Sequence, residues 1–170
     1  MRYQVREKLL AIGDDFNIKD ENGLDVLFVD GKVFRLTDTL EIKDMHGHVL
    51  VEIRRKLIAL RPSYEIWRDG KQAAVVSKAF IHFFGDKFKV DVPGPDDYEI
   101  HGDIFSHEYT FHRHDQAVAQ VSKSWFSLTD SYGVEIHEGE DAILILASAI
   151  VIDRISFENR DHERDLGVHR

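Results

Sequence analysis

Ala142–Ile152 reads AILILASAIVI, a run with no charge and a single hydroxyl. Its length argues against a strand, since most strands span about 5–6 residues. Its ends argue for a helix. Glu138, Glu140 and Asp141 precede it, where a helix dipole favours anions, and Arg154 follows, where it favours a cation. A helix apolar on nearly every face must be buried on every face. The run is also shorter than the ~20 residues of a membrane span, and flanking carboxylates make hydrocarbon a poor home for it. The reading is therefore a core helix over about residues 141–154.

Upstream, turn signals recur at short intervals: Asp20-Glu21-Asn22-Gly23, Asp30-Gly31, Asp44-Met45-His46-Gly47, Asp69-Gly70, Pro93-Gly94-Pro95, His114-Asp115 and Asp130-Ser131-Tyr132-Gly133. Runs rich in Val, Ile, Phe, Tyr and Thr lie between them, the pattern of a hairpin meander. The expected strands are Phe16–Lys19, Leu24–Val29, Lys32–Leu36, Leu40–Lys43, Val49–Ile53, Tyr64–Arg68, Gln72–Ser77, Lys87–Val92, Tyr98–His101, Glu108–His112, Ala117–Ser122 and Gly133–His137. A helix with its side chains is about 10–12 Å across. An eight-stranded barrel is filled by its own side chains, so a barrel that swallows a helix needs more staves. The fold expected is mainly β: a closed antiparallel β-barrel of about twelve strands around a buried hydrophobic C-terminal α-helix. Residues 1–156 read as one domain, and the charged tail 157–170 (FENRDHERDLGVHR) as frayed.

The chain repeats itself. Tyr64–Phe80 (YEIWRDGKQAAVVSKAF) aligns without a gap to Tyr109–Trp125 (YTFHRHDQAVAQVSKSW), with identities Tyr64/Tyr109, Arg68/Arg113, Ala74/Ala119, Val76/Val121, Ser77/Ser122 and Lys78/Lys123. A fainter copy lies in Ile42–Leu57. Such a hairpin cannot bury its own apolar face, so the copies must continue one sheet.

Composition narrows the function classes. Hydrophobic residues make up 43% and charged residues 31% of the 170, ordinary for a globular domain. There is no cysteine, so disulfides, thiolate metal sites and Cys nucleophiles are excluded. The opening MRYQVREKLL has no apolar core of the kind a secretory leader carries, and the expected setting is cytoplasmic. The formal net charge of −9 repels polyanions at long range. It argues against nucleic acid and predicts weak binding to anionic vesicles at physiological salt.

The motifs G-x-S-x-G, G-x-x-x-x-G-K-[ST] and H-E-x-x-H are absent, as is a complete EF-hand loop. The best site candidate is the basic cluster Arg54, Arg55, Lys56 and Arg61, which could hold a phosphate or carboxylate by charge-assisted hydrogen bonds. A solvated strand end is the plainer account, and strand alternation sends Arg54 and Arg55 to opposite faces. The pairs Ser77-Lys78 and Ser122-Lys123 point apart on a strand, which disfavours a Ser–Lys dyad. His112 and His114 share a face by spacing but lack a third placed metal ligand. Trp67, Trp125, Phe80, Phe83, Phe84 and Phe111 read as packing rather than a ligand cage. No cofactor or metal is expected.

Several stretches in order, namely Lys8–Gly23 (KLLAIGDDFNIKDENG), Leu40–Gly47 (LEIKDMHG), Ile100–Asp103 (IHGD), Val121–Trp125 (VSKSW) and the closing AILILASAIVIDRI, resemble the LURP-one-related family. That family is grouped in the Tubby C-terminal-like superfamily with the phospholipid scramblases. The resemblance implies a barrel of about twelve strands around a C-terminal helix. It implies no established enzymatic reaction, and Tubby-like relatives bind phosphoinositides. Scramblases carry an acidic, calcium-linked segment before the final helix. Asp130, Tyr132 and Val134 follow that pattern here, but Leu128 stands where an acid is expected, which counts against calcium at Asp130–Asp141.

The function expected is a non-enzymatic binding module for a phospholipid headgroup, a small anionic ligand or a protein partner, peripheral to a membrane if lipid is the partner. The alternative is an enzyme with a rim pocket of histidines and carboxylates.

Overall fold

The structure, a computed structural model, describes residues 1–6, 15–31, 39–79, 87–125 and 130–165, without the side chains of position 79 and positions 159–165. The described strands are β1 (Arg2–Arg6), β2 (Phe16–Asp20), β3 (Asp25–Asp30), β4 (Thr39–Asp44), β5 (Val49–Arg55), β6 (Ser63–Arg68), β7 (Lys71–Ala79), β8 (Lys87–Asp91), β9 (Tyr98–Asp103), β10 (Glu108–Arg113), β11 (Gln116–Ser122) and β12 (Ser131–Ile136). One helix, α1 (Ala142–Asp165), follows them. Each strand pairs antiparallel with its sequence neighbour, and β1 pairs with β12 to close the barrel. Closure leaves no sheet edge to pair with another chain.

Eleven of the expected strands coincide with described ones to within about two residues. The expected Lys32–Leu36 lies outside the described residues. The strand that sequence reading missed is β1, RYQVR, whose register runs Arg2 against Glu135 through Arg6 against Ser131. It is short, and only Val5 in it is fully buried, so it has almost no alternation to read.

Alternation is plain elsewhere. Val51 and Ile53 of β5, Tyr64 and Ile66 of β6, and Val134 and Ile136 of β12 all point into the core, as the two-residue period of a strand requires. What they meet is the helix. The nine consecutive residues Ile145–Asp153 are all buried. Successive helical residues are ~100° apart, so this stretch is covered in every direction inside the closed barrel. Ala147 and Ala149 thin the rod. The hydroxyls of Ser148 and Ser156 donate to the carbonyls of Leu144 and Ile152, both at 2.8 Å, which makes them tolerable in an apolar interior.

The helix runs past the expected end near Arg154 to Asp165. The apolar run stops before the helix does. Ser156–Asp165 contains no Gly or Pro, and Arg154 Nε donates to Glu158 Oε1 at 3.1 Å one turn on, a favourable i, i+4 pair.

The meander sorts its connections by end. Tight turns at Asp20–Leu24, Asp44–His48, Asp69-Gly70 and His114-Asp115 crowd one rim, where the helix also enters. In the two repeats the turn backbone is the same: Asp69 and Gly70 at φ 50° and 71°, His114 and Asp115 at 49° and 63°. Two successive positive φ values define the hairpin turn whose twist matches the strands. The opposite rim carries the β5–β6 loop at residues 56–62.

Candidate functional site

The helix is held by residues of the sequence repeat. Arg68, ending β6, donates to both carboxylate oxygens of Asp141 at 2.7 and 2.9 Å. Arg113, ending β10, does the same to Glu140 at 2.8 and 2.7 Å. Asp141 also caps the helix, accepting from the Leu144 amide at 3.1 Å. Burial alone would raise the Asp141 pKa, but the Arg68 and Leu144 hydrogen bonds outweigh it and leave it lowered. Of the repeated tyrosines, Tyr64 donates its hydroxyl to Glu158 Oε1 at 2.9 Å. Tyr109 lies buried beside Asp153; burial first, and that carboxylate second, push its pKa well up. Deeper still, His107 Nε2 lies 2.9 Å from Asp153 Oδ1, both side chains 3% exposed or less, and the imidazole stacks on Tyr132 at 4.7 Å. These contacts fasten the helix to the wall from entry to exit. Along Ile145–Asp153 the described helix is fully buried within the barrel.

The basic cluster sits on the loop-bearing rim. Arg54 lies on the outer face: its guanidinium is 4.6 Å from the Trp67 ring centroid and reaches Glu52 at 2.6 Å. Lys56 approaches Glu65 at 4.0 Å, on the same outer face. Arg55 turns the other way, to Glu158 of the helix at 3.7 Å. Arg61 donates to the Lys78 carbonyl at 3.0 Å. Alternation thus brings Arg54 and Lys56 together and separates Arg55 from them, so the four form a collar around the β5–β6 loop rather than one pocket. The ion pairs are half-exposed, and two are long; pairs of that kind are worth about 0–1 kcal/mol and exchange readily for another anion.

The loop carries a feature that charge-based reading missed. Lys56 N donates to Ser63 O at 3.0 Å and closes the loop's base. Beyond it, Leu57, Ile58 and Leu60 are 77%, 94% and 97% exposed. The signal was present in the sequence as KLIALRP (56–62), an apolar tip between cations.

The histidines and carboxylates form a shallow pocket of about 330 Å³ at the opposite rim, lined by Lys89, Asp97, Glu99, His112, His114 and Asp115. His112 stacks on His101 at 4.5 Å and contacts Thr110 Oγ1 at 2.8 Å. His114 contacts the Pro95 carbonyl at 3.0 Å. Lys89 donates hydrogen bonds to the carboxylates of Asp91 and Asp97, which hold it charged and raise its pKa. Among the described residues, no group of three or more His, Asp or Glu is arranged to hold a metal ion. Asp130, Glu135, Glu140 and Asp141, in the stretch before the helix, each face an arginine: Arg6, Arg2, Arg113 and Arg68. Ser122 bonds to Glu108 at 2.8 Å, and Lys123 follows the strand end. Phe111 is core, whereas Trp67 and Trp125 pack under the guanidiniums of Arg54 and Arg2. Phe80, Phe83 and Phe84 lie outside the described residues.

No helix of the described residues is long and apolar enough to cross a membrane. The chain is similar to the uncharacterized protein YxjI of Bacillus subtilis (strain 168), with 33% identity over 157 residues, 92% of this chain and 94% of that protein. An X-ray structure of a protein from Arabidopsis thaliana superposes with a TM-score of 0.63 over 93% of this chain and 91% of that one. At 18% identity this likeness speaks for the fold. The family model for LURP-one-related proteins matches residues 1–153. The chain belongs to the LURP-one-related family.

Proposed function

We propose that this protein is a non-enzymatic binding module that docks an anionic group on its loop-bearing rim, with the helix as permanent core. The observation that carries this is the β5–β6 connection, where Arg54, Arg55, Lys56 and Arg61 surround one exposed loop with no carboxylate between them in sequence. The chemistry suits a phosphate, as in a phospholipid headgroup or a small anion, or an acidic partner protein. A barrel packed around its helix supports a rim site, because the described interior positions are filled by buried side chains. The setting that belongs to this reading is cytoplasmic, peripheral to a membrane when lipid is bound.

Titration with glycerophosphate, followed by amide chemical shifts, tests it. Shifts should concentrate at residues 54–63 and weaken about tenfold in the Arg54→Gln/Lys56→Gln variant, as loss of two charge-assisted contacts requires. No shifts there, or shifts unchanged in that variant, would refute the rim as an anion site.

The His112 pocket supports a second reading, an enzyme with a rim site. Turnover of a simple ester or phosphoester by the parent chain, abolished in His112→Ala, would establish it in place of the first.

A further inference from the structure

We infer that the β5–β6 loop is a lipid-inserting tip: Leu57, Ile58 and Leu60 enter the outer boundary of a bilayer while Arg54, Lys56 and Arg61 meet its phosphates. This rests on reading the rim as an anion-docking surface, and adds to it the partner and the mode of contact.

Three observations carry it. First, the apolar side chains of the tip stand clear of the barrel. Leu57 and Ile58 are neighbours in sequence, Leu60 is two further on, and each is more than three-quarters exposed, so no side of the tip leans on the barrel. A protein groove covers one side of a loop; a fluid apolar layer covers all sides. Second, the base of the loop is fixed while the tip is free-standing. Lys56 N to Ser63 O closes the neck, and Arg61 ties the descending limb to the Lys78 carbonyl. The neck is therefore already formed before contact, which reduces the ordering cost of binding. Third, the charges sit where an interface would want them. Every charged residue from Arg54 to Arg61 is cationic, in a chain whose net charge is −9. Cations flanking an apolar tip are placed to reach phosphates when the tip is immersed.

The overall negative charge opposes an anionic surface at long range, so attraction at a distance cannot be the driving force. Burial of the tip supplies it. Immersion stops at the acyl boundary, ~5–10 Å deep, because an irregular loop backbone needs hydrogen-bond partners that hydrocarbon lacks.

The absence of cysteine makes the test direct. The full chain carrying Ile58→Cys is labelled at its single thiol with an environment-sensitive fluorophore, and Leu24→Cys, on the opposite rim, is the control. Phosphatidylcholine vesicles, with and without phosphatidylserine, are then added. The expected result is a blue-shifted, brighter emission at position 58 and none at position 24. Co-sedimentation should fall about tenfold or more in Ile58→Glu/Leu60→Glu, since two aliphatic groups no longer leave water, with an unchanged melting temperature. If vesicles bind but the label at 58 stays aqueous, or the glutamate variant sediments like its parent, insertion is wrong. Loss of binding in Arg54→Gln/Lys56→Gln would then show the rim reading still standing. If that variant binds vesicles normally while the tip variant does not, the anion-docking reading fails and insertion survives. No vesicle binding by the parent chain, or a tip-dependent dimer or protein complex in its place, overturns the lipid assignment.

Discussion

Tyr64 and Tyr109 hold the same place in two copies of one hairpin, yet the structure gives their hydroxyls different standing. Tyr64 donates to Glu158 at 2.9 Å, whereas the buried Tyr109 hydroxyl has no partner among the described residues. Tyr64→Phe should therefore cost about 1 kcal/mol, and Tyr109→Phe close to nothing, as urea unfolding would measure. Burial, then the nearby Glu158 carboxylate, push the Tyr64 pKa up to about 12 from 10.0. A raised folded-state pKa means that the stabilisation is complete below the unfolded value and is lost as pH rises through about 12. The parent chain should lose its advantage over Tyr64→Phe in that alkaline window and nowhere lower. At Gly102, φ is 127° and an added Cβ would sit 2.5 Å from the Glu108 carbonyl oxygen and 2.8 Å from Tyr109 Cα. Both obstacles are backbone, so Gly102→Ala should destabilise by about 2 kcal/mol or more, read as a lowered melting temperature. The IHGD stretch drew notice in the sequence, but the close approach of a neighbouring strand that requires its glycine was not legible there.

Between the wall and α1 lie two clamps of unequal weight. Glu140 is 10% exposed and Asp141 36%. Arg113→Ala strands the more buried carboxylate and should cost about 2 kcal/mol, whereas Arg68→Ala bares one that water partly reaches and should cost about 1 kcal/mol. Thermal melts of the two variants give the order. The repeat itself was readable in sequence as strand, turn, strand. The role of its repeated Arg was not, because the carboxylates that Arg68 and Arg113 hold, Asp141 and Glu140, stand tens of residues downstream, just before the helix. The helix was readable from its apolar run and flanking charges, but its far end was not, because Arg and Glu continue a helix without marking it. The basic cluster was visible as composition. Its split between an outer pair and Arg55 at the mouth follows from alternation, while the exposure of Leu57, Ile58 and Leu60 is a property of the loop that hydrophobicity alone could not distinguish from core.

At the scale of the molecule, the apolar rod and the sheet depend on each other. The barrel's inner face is lined by residues such as Ile18, Ile42, Ile66, Val76 and Phe111, each 0% exposed, and without the helix these would face a void or water. Burial of such side chains contributes about 1.5–3 kcal/mol each, so several lost together exceed the 5–15 kcal/mol that holds a domain folded. A chain ending before Ala142 should be insoluble; a soluble, cooperatively melting truncation would contradict that. With the described interior occupied by the helix, the proposed docking surface is a rim feature, the β5–β6 loop. The most direct test of the plugged barrel is native-state hydrogen exchange at the amides of Ile145–Ile155. The account predicts that they exchange only through global unfolding, as slowly as the slowest strand amides. Exchange of the helix amides while the strands stay protected would show the helix leaving an intact barrel and would contradict it.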